Sequence, residues 1–193
     1  MQVEQKRFSI KHTFTFNEQH LNFAYDDRSG SGDVDVPYGD IPKKRSVRID
    51  ENTWLRNVGL LWCAIGFAAL LLKWSAVIWL PIGVACLVWF HFSKVKYTLL
   101  QAERGTIWVV QDKKHDEILQ EISDRRIKQL ISWYGEINYE NEPQNEIRKF
   151  LWLAEQEVIT KEQADIKIAE IQMNSRTHAP ESVSYTHLRA HET

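Results

Sequence analysis

Three polar side chains close together in the sequence are the strongest candidates for acid–base chemistry in this chain. Asp112, His115 and Asp116 lie where the apolar pattern predicts the start of a helix. A histidine beside carboxylates can accept or donate a proton near neutral pH. Acidic residues are also ordinary caps of helix N-termini, and no nucleophile or phosphate-binding motif accompanies these three. An enzyme that uses them is therefore an alternative hypothesis.

Two further patterns imitate ligand sites. His187 and His191 have the i, i+4 spacing of a helical zinc site. However, they lie in VSYTHLRAHET, residues 183–193, which matches one reading frame of a transposon-based sequencing adapter. We interpret that segment as translated adapter and expect a different natural C-terminus.

The glycine-rich SGSGD of residues 29–33 precedes a strand rather than a helix, so a hairpin loop is favoured over a phosphate cradle. We predict no metal and no cofactor.

Positive charges cluster at one place in the sequence. Lys43, Lys44, Arg45 and Arg48 precede a long apolar block, and a basic cluster beside a membrane attracts anionic lipids. The same residues are also expected from membrane topology alone, because cytoplasmic flanks are enriched in Lys and Arg. The formal net charge of -2 and a pI near 6.4 argue against a nucleic-acid partner, which needs a basic footprint.

The apolar block predicts a transmembrane hairpin over residues 54–95. Residues 57–72 and 75–92 contain no Asp, Glu, Lys or Arg, and each run is close to the ~20 residues that cross a bilayer as a helix. Neither run keeps the polar stripe of a surface helix; a hairpin buried in a globular core is the alternative. Lys73 and Trp74 mark the turn, and Gly59, Gly66 and Gly83 would let the helices approach closely.

The charge distribution predicts the orientation of this hairpin. Its flanks hold seven Lys and Arg residues, whereas its turn holds only Lys73. The positive-inside rule then places both flanks and both termini in the cytoplasm, with two helices crossing the membrane. The flanking cations are Lys43, Lys44, Arg45, Arg48, Arg56, Lys94 and Lys96. Cys63 and Cys86 both lie in the apolar runs, which fits a reducing compartment.

Alternating apolar residues predict strands on both sides of the hairpin. They occur in RFSIKHTFTF, HLNFAYDD and VDVPYGDI before it, and in KYTLLQ and TIWVVQD after it. A predicted amphipathic helix follows over residues 115–134, with Gly135 just past its end. Isolated strand pairs are marginally stable, so residues 7–49 and 96–135 are expected to form one antiparallel sheet closed by this helix. The predicted fold class is an α+β membrane protein.

This order of elements resembles the pleckstrin-homology-like domains of bacterial membrane proteins, some of which carry a two-helix membrane insertion. The resemblance covers about residues 7–135 and rests on element order, with fewer predicted strands than the family's seven. It implies a binding or scaffolding module rather than a catalyst. No functional residue follows from it, because the family has no shared catalytic set.

The segment of residues 144–174 resembles the short C-terminal helical domain of many bacterial proteins, in which two helices meet at a G-x-[IL]-T-x-E-E turn. Thr160 and Gln163 also form a capping box that starts the second helix. Glu157 stands where the family usually has Gly. The matching residues are Phe150, Leu151, Leu153, Val158, Ile159, Thr160 and Glu162. Two short helices cannot bury their own apolar faces, so the resemblance implies docking on a protein partner or a second copy.

Together these patterns predict a non-catalytic inner-membrane protein with a cytoplasmic binding or scaffolding module. Membrane lipids are its expected partners, through the four-residue cluster that begins at Lys43. The alternatives are a membrane-associated enzyme that uses Asp112, His115 and Asp116, and an accessory subunit of a larger membrane complex. Transport is disfavoured because the hairpin contains almost no polar side chain.

Overall fold

The structure is a computed structural model that describes residues 1–27, 30–72 and 78–177. Within these ranges the chain forms seven strands and five α-helices. The strands are β1 (Gln2–Arg7), β2 (Ile10–Phe16), β3 (His20–Asp27), β4 (Gly30–Pro37), β5 (Ser46–Asp50), β6 (Val95–Ala102) and β7 (Gly105–Val110). The helices are α1 (Thr53–Leu71), α2 (Trp79–Phe92), α3 (His115–Tyr134), α4 (Pro143–Glu155) and α5 (Lys161–Thr177). The chain is α+β.

Two antiparallel sheets replace the single predicted sheet. The first has the order β1-β2-β3-β4 and the second the order β5-β6-β7. The β5 and β6 strands pair with Asp50 opposite Val95, although the helical hairpin separates them in sequence. The segments on the two sides of the hairpin therefore fold together, as the sequence predicts.

One apolar core joins both sheets to the first half of α3. It includes Phe14 and Phe23 from the first sheet, Ile107 from the second and Ile118 from α3, all fully buried. The predicted alternation in β2 and β3 is confirmed, because Phe14, Phe16, Leu21 and Phe23 all face this core. Packing on α3 buries the sheet faces that an isolated strand pair would leave in water.

The Gln5 side chain ties the two sheets together at one edge. Its Nε2 donates to the Val110 carbonyl at 2.8 Å, and its Oε1 accepts from the Val110 backbone N–H at 3.0 Å. The amide thus bonds to Val110 as a strand backbone would. Both hydrogen bonds are buried, so loss of the Gln5 amide would leave the buried backbone groups of Val110 without these hydrogen bonds.

Three local predictions differ from the structure. Phe8, expected on a strand face, lies in the β1–β2 turn and is exposed. Tyr38 is buried as predicted, but in a 3-10 helix, Tyr38–Asp40, beyond the end of β4. The strands β1 and β5 were not predicted. The predicted hairpin turn at Lys73 and Trp74 and the adapter-like segment lie outside the described residues.

The described residues from Ile127 to Thr177 belong to a second compact unit. Its core contains Leu130, Phe150, Leu153, Val158 and Ile171. The predicted capping box is confirmed, since the Gln163 backbone N–H donates to Thr160 Oγ1 at 3.2 Å and the Thr160 N–H to Gln163 Oε1 at 2.9 Å. These bonds begin α5.

The backbone at the end of α4 favours glycine at the position that Glu157 occupies. The N–H groups of Val158 and Glu157 donate to the carbonyls of Leu153 and Ala154, at 2.9 and 3.0 Å. This pair of bonds is a Schellman motif, which places its C′ residue in the left-handed region. Glu157 is that residue, with φ of 57°. A side chain with a Cβ is strained there.

A buried carboxylate holds the loop before α4 in the second unit. Glu146 accepts hydrogen bonds from the Asn138 backbone N–H at 3.0 Å, from Asn141 Nδ2 at 2.9 Å and from Lys149 Nζ at 2.5 Å. Burial raises the pKa of Glu146, but these three donors outweigh burial and leave that pKa below its ordinary value.

Candidate functional site at the base of the helical hairpin

The helical hairpin is held by a set of polar contacts where it joins the second sheet. We call this region the base; it comprises Arg7, Asp50, Glu51, Lys94 and Val95. Lys94 Nζ lies 2.9 Å from Glu51 Oε1, and Arg7 Nη2 donates to the Lys94 carbonyl at 3.0 Å. The Lys94 ammonium also lies 4.7 Å from the centre of the Phe90 ring. The base thus joins β1, β5, β6 and α2.

Glycines let the two helices of the hairpin approach closely. A Cβ at Gly83 would lie 2.6 Å from the Cys63 nitrogen, and one at Gly66 would lie 2.4 Å from the Leu80 nitrogen. Such distances leave no space for a larger residue. The predicted glycine contact is therefore confirmed. Trp62 and Trp79 stack at 4.3 Å between ring centres and extend the same interface.

The outer face of the hairpin is apolar and exposed. The large exposed side chains of α1 include Trp54, Leu60, Leu61, Phe67 and Leu70. The helix Thr53–Leu71 is long and apolar enough to cross a membrane, and little of it is buried within the protein. The helix α2, Trp79–Phe92, is also apolar but shorter. Pro81 is the third residue of α2, where its missing N–H costs no helical bond.

The four predicted lipid-binding residues lie immediately before the hairpin. Lys43, Lys44 and Arg45 belong to the loop that leads into β5, and Arg48 lies within β5. All four are exposed. The Arg48 guanidinium lies 5.5 Å from the centre of the Trp108 ring, so this side chain also packs on the second sheet. Lys43, Lys44 and Arg45 lie in the loop that precedes the edge strand β5, close in sequence to the base.

The three candidate acid–base residues are brought together, but each has a structural partner. Asp112 Oδ1 accepts from Gln5 Nε2 at 2.6 Å and from the Lys114 backbone N–H at 2.9 Å. His115 Nε2 lies 2.8 Å from Thr98 Oγ1, and His115 Nδ1 lies 2.7 Å from Asp116 Oδ1. These contacts order the start of α3 and tie it to β6.

Thr98 completes a hydroxyl–imidazole–carboxylate chain that sequence reasoning did not anticipate. In hydrolases such a chain activates a nucleophile, which must be reached by substrate. Thr98 is buried, and it also accepts a hydrogen bond from Gln111 Nε2 at 3.2 Å. The side chain of Asp116, in contrast, is almost fully exposed. A substrate cannot reach the Thr98 hydroxyl in this conformation.

Two buried ionisable groups, His12 and Tyr97, lie near each other, with ring centres 6.1 Å apart. Burial, with smaller contributions from Asp50 and Asp27, raises the pKa of Tyr97 to about 12. Burial also lowers the pKa of His12, whose ring packs edge-on against Phe23 at 5.3 Å. The Nδ1 atom of His12 is buried without a hydrogen-bond partner. Both groups are therefore held in their neutral forms near pH 7.

No group of three or more His, Cys, Asp or Glu side chains in the described ranges is arranged to hold a metal ion. His187 and His191 lie outside those ranges. The sequence did not predict that Arg7 lies at the base or that Phe8 lies in a turn beside it. The segment RFS, residues 7–9, contains none of the Gly, Asn or Asp residues that indicate a two-residue turn.

Comparison of the chain with protein-family models, curated proteins and solved structures found no match.

Proposed function

We propose that this protein is a non-catalytic bacterial inner-membrane protein in which α1 and α2 form a two-helix membrane anchor. Both termini lie in the cytoplasm on this proposal. The seven strands and the first half of α3 form a cytoplasmic binding or scaffolding module of the pleckstrin-homology-like kind. Membrane lipids contact the module through Lys43, Lys44, Arg45 and Arg48.

The observation that carries this proposal is the place of the hairpin in the sheet. It connects two adjacent antiparallel strands, β5 and β6, which a short turn would otherwise join. Its exposed apolar side chains, such as Leu60, Leu61 and Phe67, point away from its own glycine-lined interface. In water this arrangement would expose a large apolar area, whereas in lipid the exposure has no cost. A membrane anchor inserted into a folded domain accounts for both features.

The architecture of the first unit supports the pleckstrin-homology-like part of the proposal. A four-stranded sheet, a three-stranded sheet and a following helix match the element order that the resemblance implies, including its seven strands. Because such modules bind different ligands through variable loops, the order of elements alone names no ligand.

An accessory subunit of a larger membrane complex is the second candidate function, and aromatic side chains of the second unit favour it. Tyr134 packs edge-on against both Trp133 and Trp152, with ring centres 6.2 and 5.9 Å apart. All three side chains are exposed. Clustered exposed aromatic residues are typical of protein contact surfaces, so a protein partner or a second copy would bind here.

Reporter fusions test the proposed topology. Alkaline phosphatase is active only outside the cytoplasm, and green fluorescent protein exported through the general secretion pathway does not fluoresce. We expect fluorescence, and no phosphatase activity, from fusions at residue 1 and after residue 177. A phosphatase inserted between residues 72 and 78 should be active. Activity on opposite sides of the membrane for the two end fusions would overturn the two-helix anchor.

A further inference from the structure

The turn between β1 and β2 contains an aromatic residue in a conformation that does not suit it. Phe8 has φ of 55°, in the left-handed region, and is 65% exposed. Arg7 pairs with Ile10, so the turn has two residues, of which Phe8 is the first. Glycine is favoured at the first residue of a two-residue turn when that residue has a positive φ. Neither burial nor backbone geometry therefore explains a phenylalanine here.

The contacts of Arg7 place this turn at the base of the hairpin. Arg7 donates to the carbonyl of Lys94, which lies between the end of α2 and the start of β6. The Arg7 guanidinium also lies 5.9 Å from the centre of the Phe8 ring. Phe8 is therefore beside the point at which the hairpin leaves the sheet.

Other apolar side chains at the same end of the unit are exposed too. Trp54 lies in the first turn of α1, Phe92 is the last residue of α2, and Ile49 is the last apolar residue of β5. Cations accompany them, since Lys96 pairs with Ile49 across the strands and Arg56 lies in the first turns of α1. Exposed aromatic and aliphatic side chains beside cations are typical of a bilayer interface with anionic headgroups.

We propose that Phe8, Ile49, Trp54 and Phe92 form a docking surface that seats the folded unit on the anionic inner leaflet, with Phe8 inserted among the headgroups. This inference rests on the proposed function, since it requires the hairpin to be in lipid. The interfacial zone of a bilayer is about 5–7 Å deep on each side, so side chains directly beside a helix end reach it. Continuity with a helix able to span a membrane, together with the cations, favours a lipid surface over a protein partner.

Depth-dependent fluorescence quenching tests the proposal. Single cysteines at Phe8, Glu18 and Leu61 would carry an environment-sensitive dye, in the full chain with C63A and C86A. The protein would be reconstituted in vesicles of phosphatidylcholine, with or without phosphatidylglycerol, that contain lipids spin-labelled at the headgroup or deep in the acyl chain. Glu18 is an exposed residue in the turn at the opposite end of β2 and provides the matched control.

We expect headgroup labels to quench the dye at residue 8 in anionic vesicles and deep labels to quench the dye at residue 61. The dye at residue 18 should be quenched by neither. Neutralising Arg56 and Lys96 together, as R56Q/K96Q, should reduce the equilibrium constant for docking, measured by quenching at residue 8, by about fivefold per charge. The substitution F8G should relieve the unfavourable φ and give a chain that folds well. With the dye on a cysteine at the neighbouring residue, S9C, we expect headgroup labels to quench the dye less in the F8G chain than in the chain that keeps Phe8.

Two outcomes separate the inference from the function on which it rests. Quenching at residue 61 without quenching at residue 8 would overturn the docking surface and leave the membrane anchor intact. Absence of quenching at residue 61 would overturn both. Equal quenching at residues 8 and 18, or quenching at residue 8 that is insensitive to phosphatidylglycerol and to R56Q/K96Q, would also contradict docking through this surface.

Discussion

The sheet unit and the helical hairpin bury opposite kinds of residue. In the sheet unit, which is residues 1–126 without the hairpin, the fully buried residues include large ones such as Phe14, Phe23 and Tyr38. In α1 and α2 the buried residues are Gly59, Gly66, Ala69 and Gly83, while leucines such as Leu60, Leu61, Leu70 and Leu71 are exposed. Water drives large apolar groups inward, whereas lipid gives no such preference and rewards close helix packing through small residues. The contrast is what the proposed placement of the hairpin in lipid, and of the sheet unit in water, predicts.

The largest effect is expected in the core of the sheets. Phe23→Ala should destabilise this unit by about 3–5 kcal/mol, because it removes a fully buried ring and leaves a cavity. Denaturant unfolding in detergent, followed by circular dichroism, would measure the loss. Leu60→Ala on the outer face of the hairpin is the matched control and should leave sheet unfolding unchanged. Equal losses for both variants would contradict the contrast.

A lysine on the outer face of α1 should oppose membrane insertion strongly only if that face contacts lipid. Leu61→Lys, at a side chain 57% exposed near the middle of the helix, should reduce membrane insertion by about 2.5–3.5 kcal/mol. Leu151→Lys, at a leucine 52% exposed in α4, should change stability by less than about 0.5 kcal/mol. Membrane and soluble fractions of cells that express each variant provide the measurement. Two mild effects would indicate that water surrounds both leucines.

Substitution of a glycine between the helices tests the inner face. Gly83→Leu should weaken the pairing of α1 with α2 by about 1–3 kcal/mol, since the new side chain meets the Cys63 backbone. Crosslinking between cysteines introduced on the two helices would report the separation. Val84→Leu adds a methylene on the outer face and should leave crosslinking unchanged. Unchanged crosslinking in Gly83→Leu would show that the helices do not pack as described.

The second unit offers a stabilising change. Glu157→Gly should stabilise it by about 1 kcal/mol, because glycine adopts a positive φ without steric cost. Glu155→Gly, within the last turn of α4, should instead destabilise the unit by a similar amount. Hydrogen exchange of the α4 and α5 amides would report both changes. Destabilisation by Glu157→Gly would indicate that contacts of the glutamate side chain outweigh its backbone strain.

Acid should weaken the sheet unit through His12 before it titrates the carboxylates. Burial lowers the pKa of His12 in the folded state, so the unfolded chain binds a proton first as the pH falls. Stability is therefore complete above the unfolded pKa, near 6.5, and falls below it until the folded group also titrates. The unfolding midpoint should decrease between about pH 7 and pH 5 in the native chain and less so in H12Q. The control H20Q should behave as the native chain does.

Sequence patterns revealed the parts of this fold whose stability depends on simple burial. Strict alternation located β2 and β3, and the Thr160–Gln163 pair located the start of α5, because each pattern corresponds to one buried face or one local bond. The strand β1 escaped detection because a buried position is held by Gln5, whose amide is satisfied by Val110. The strand β5 has only two alternating apolar residues, Val47 and Ile49, within five residues, and all five are exposed, so the signal for a strand is short and marks no buried face.

The base of the hairpin could be predicted only in part. The positive charges near it are visible in the sequence, but Arg7 is 87 residues distant from Lys94 along the chain and reaches the Lys94 carbonyl only in the folded sheets. The left-handed φ of Phe8 and of Glu157 is likewise invisible in composition, because neither residue is one that favours that conformation. Tertiary contacts, rather than local propensity, determine both positions.

Alkaline carbonate extraction of membranes from cells that express the native chain tests the central claim most directly. Carbonate removes proteins held at a membrane surface and leaves those whose helices lie within the bilayer. With the outer face of the hairpin in lipid, the protein should remain in the membrane pellet. Its release into the supernatant, as a folded protein, would show that water rather than lipid surrounds the exposed leucines of α1.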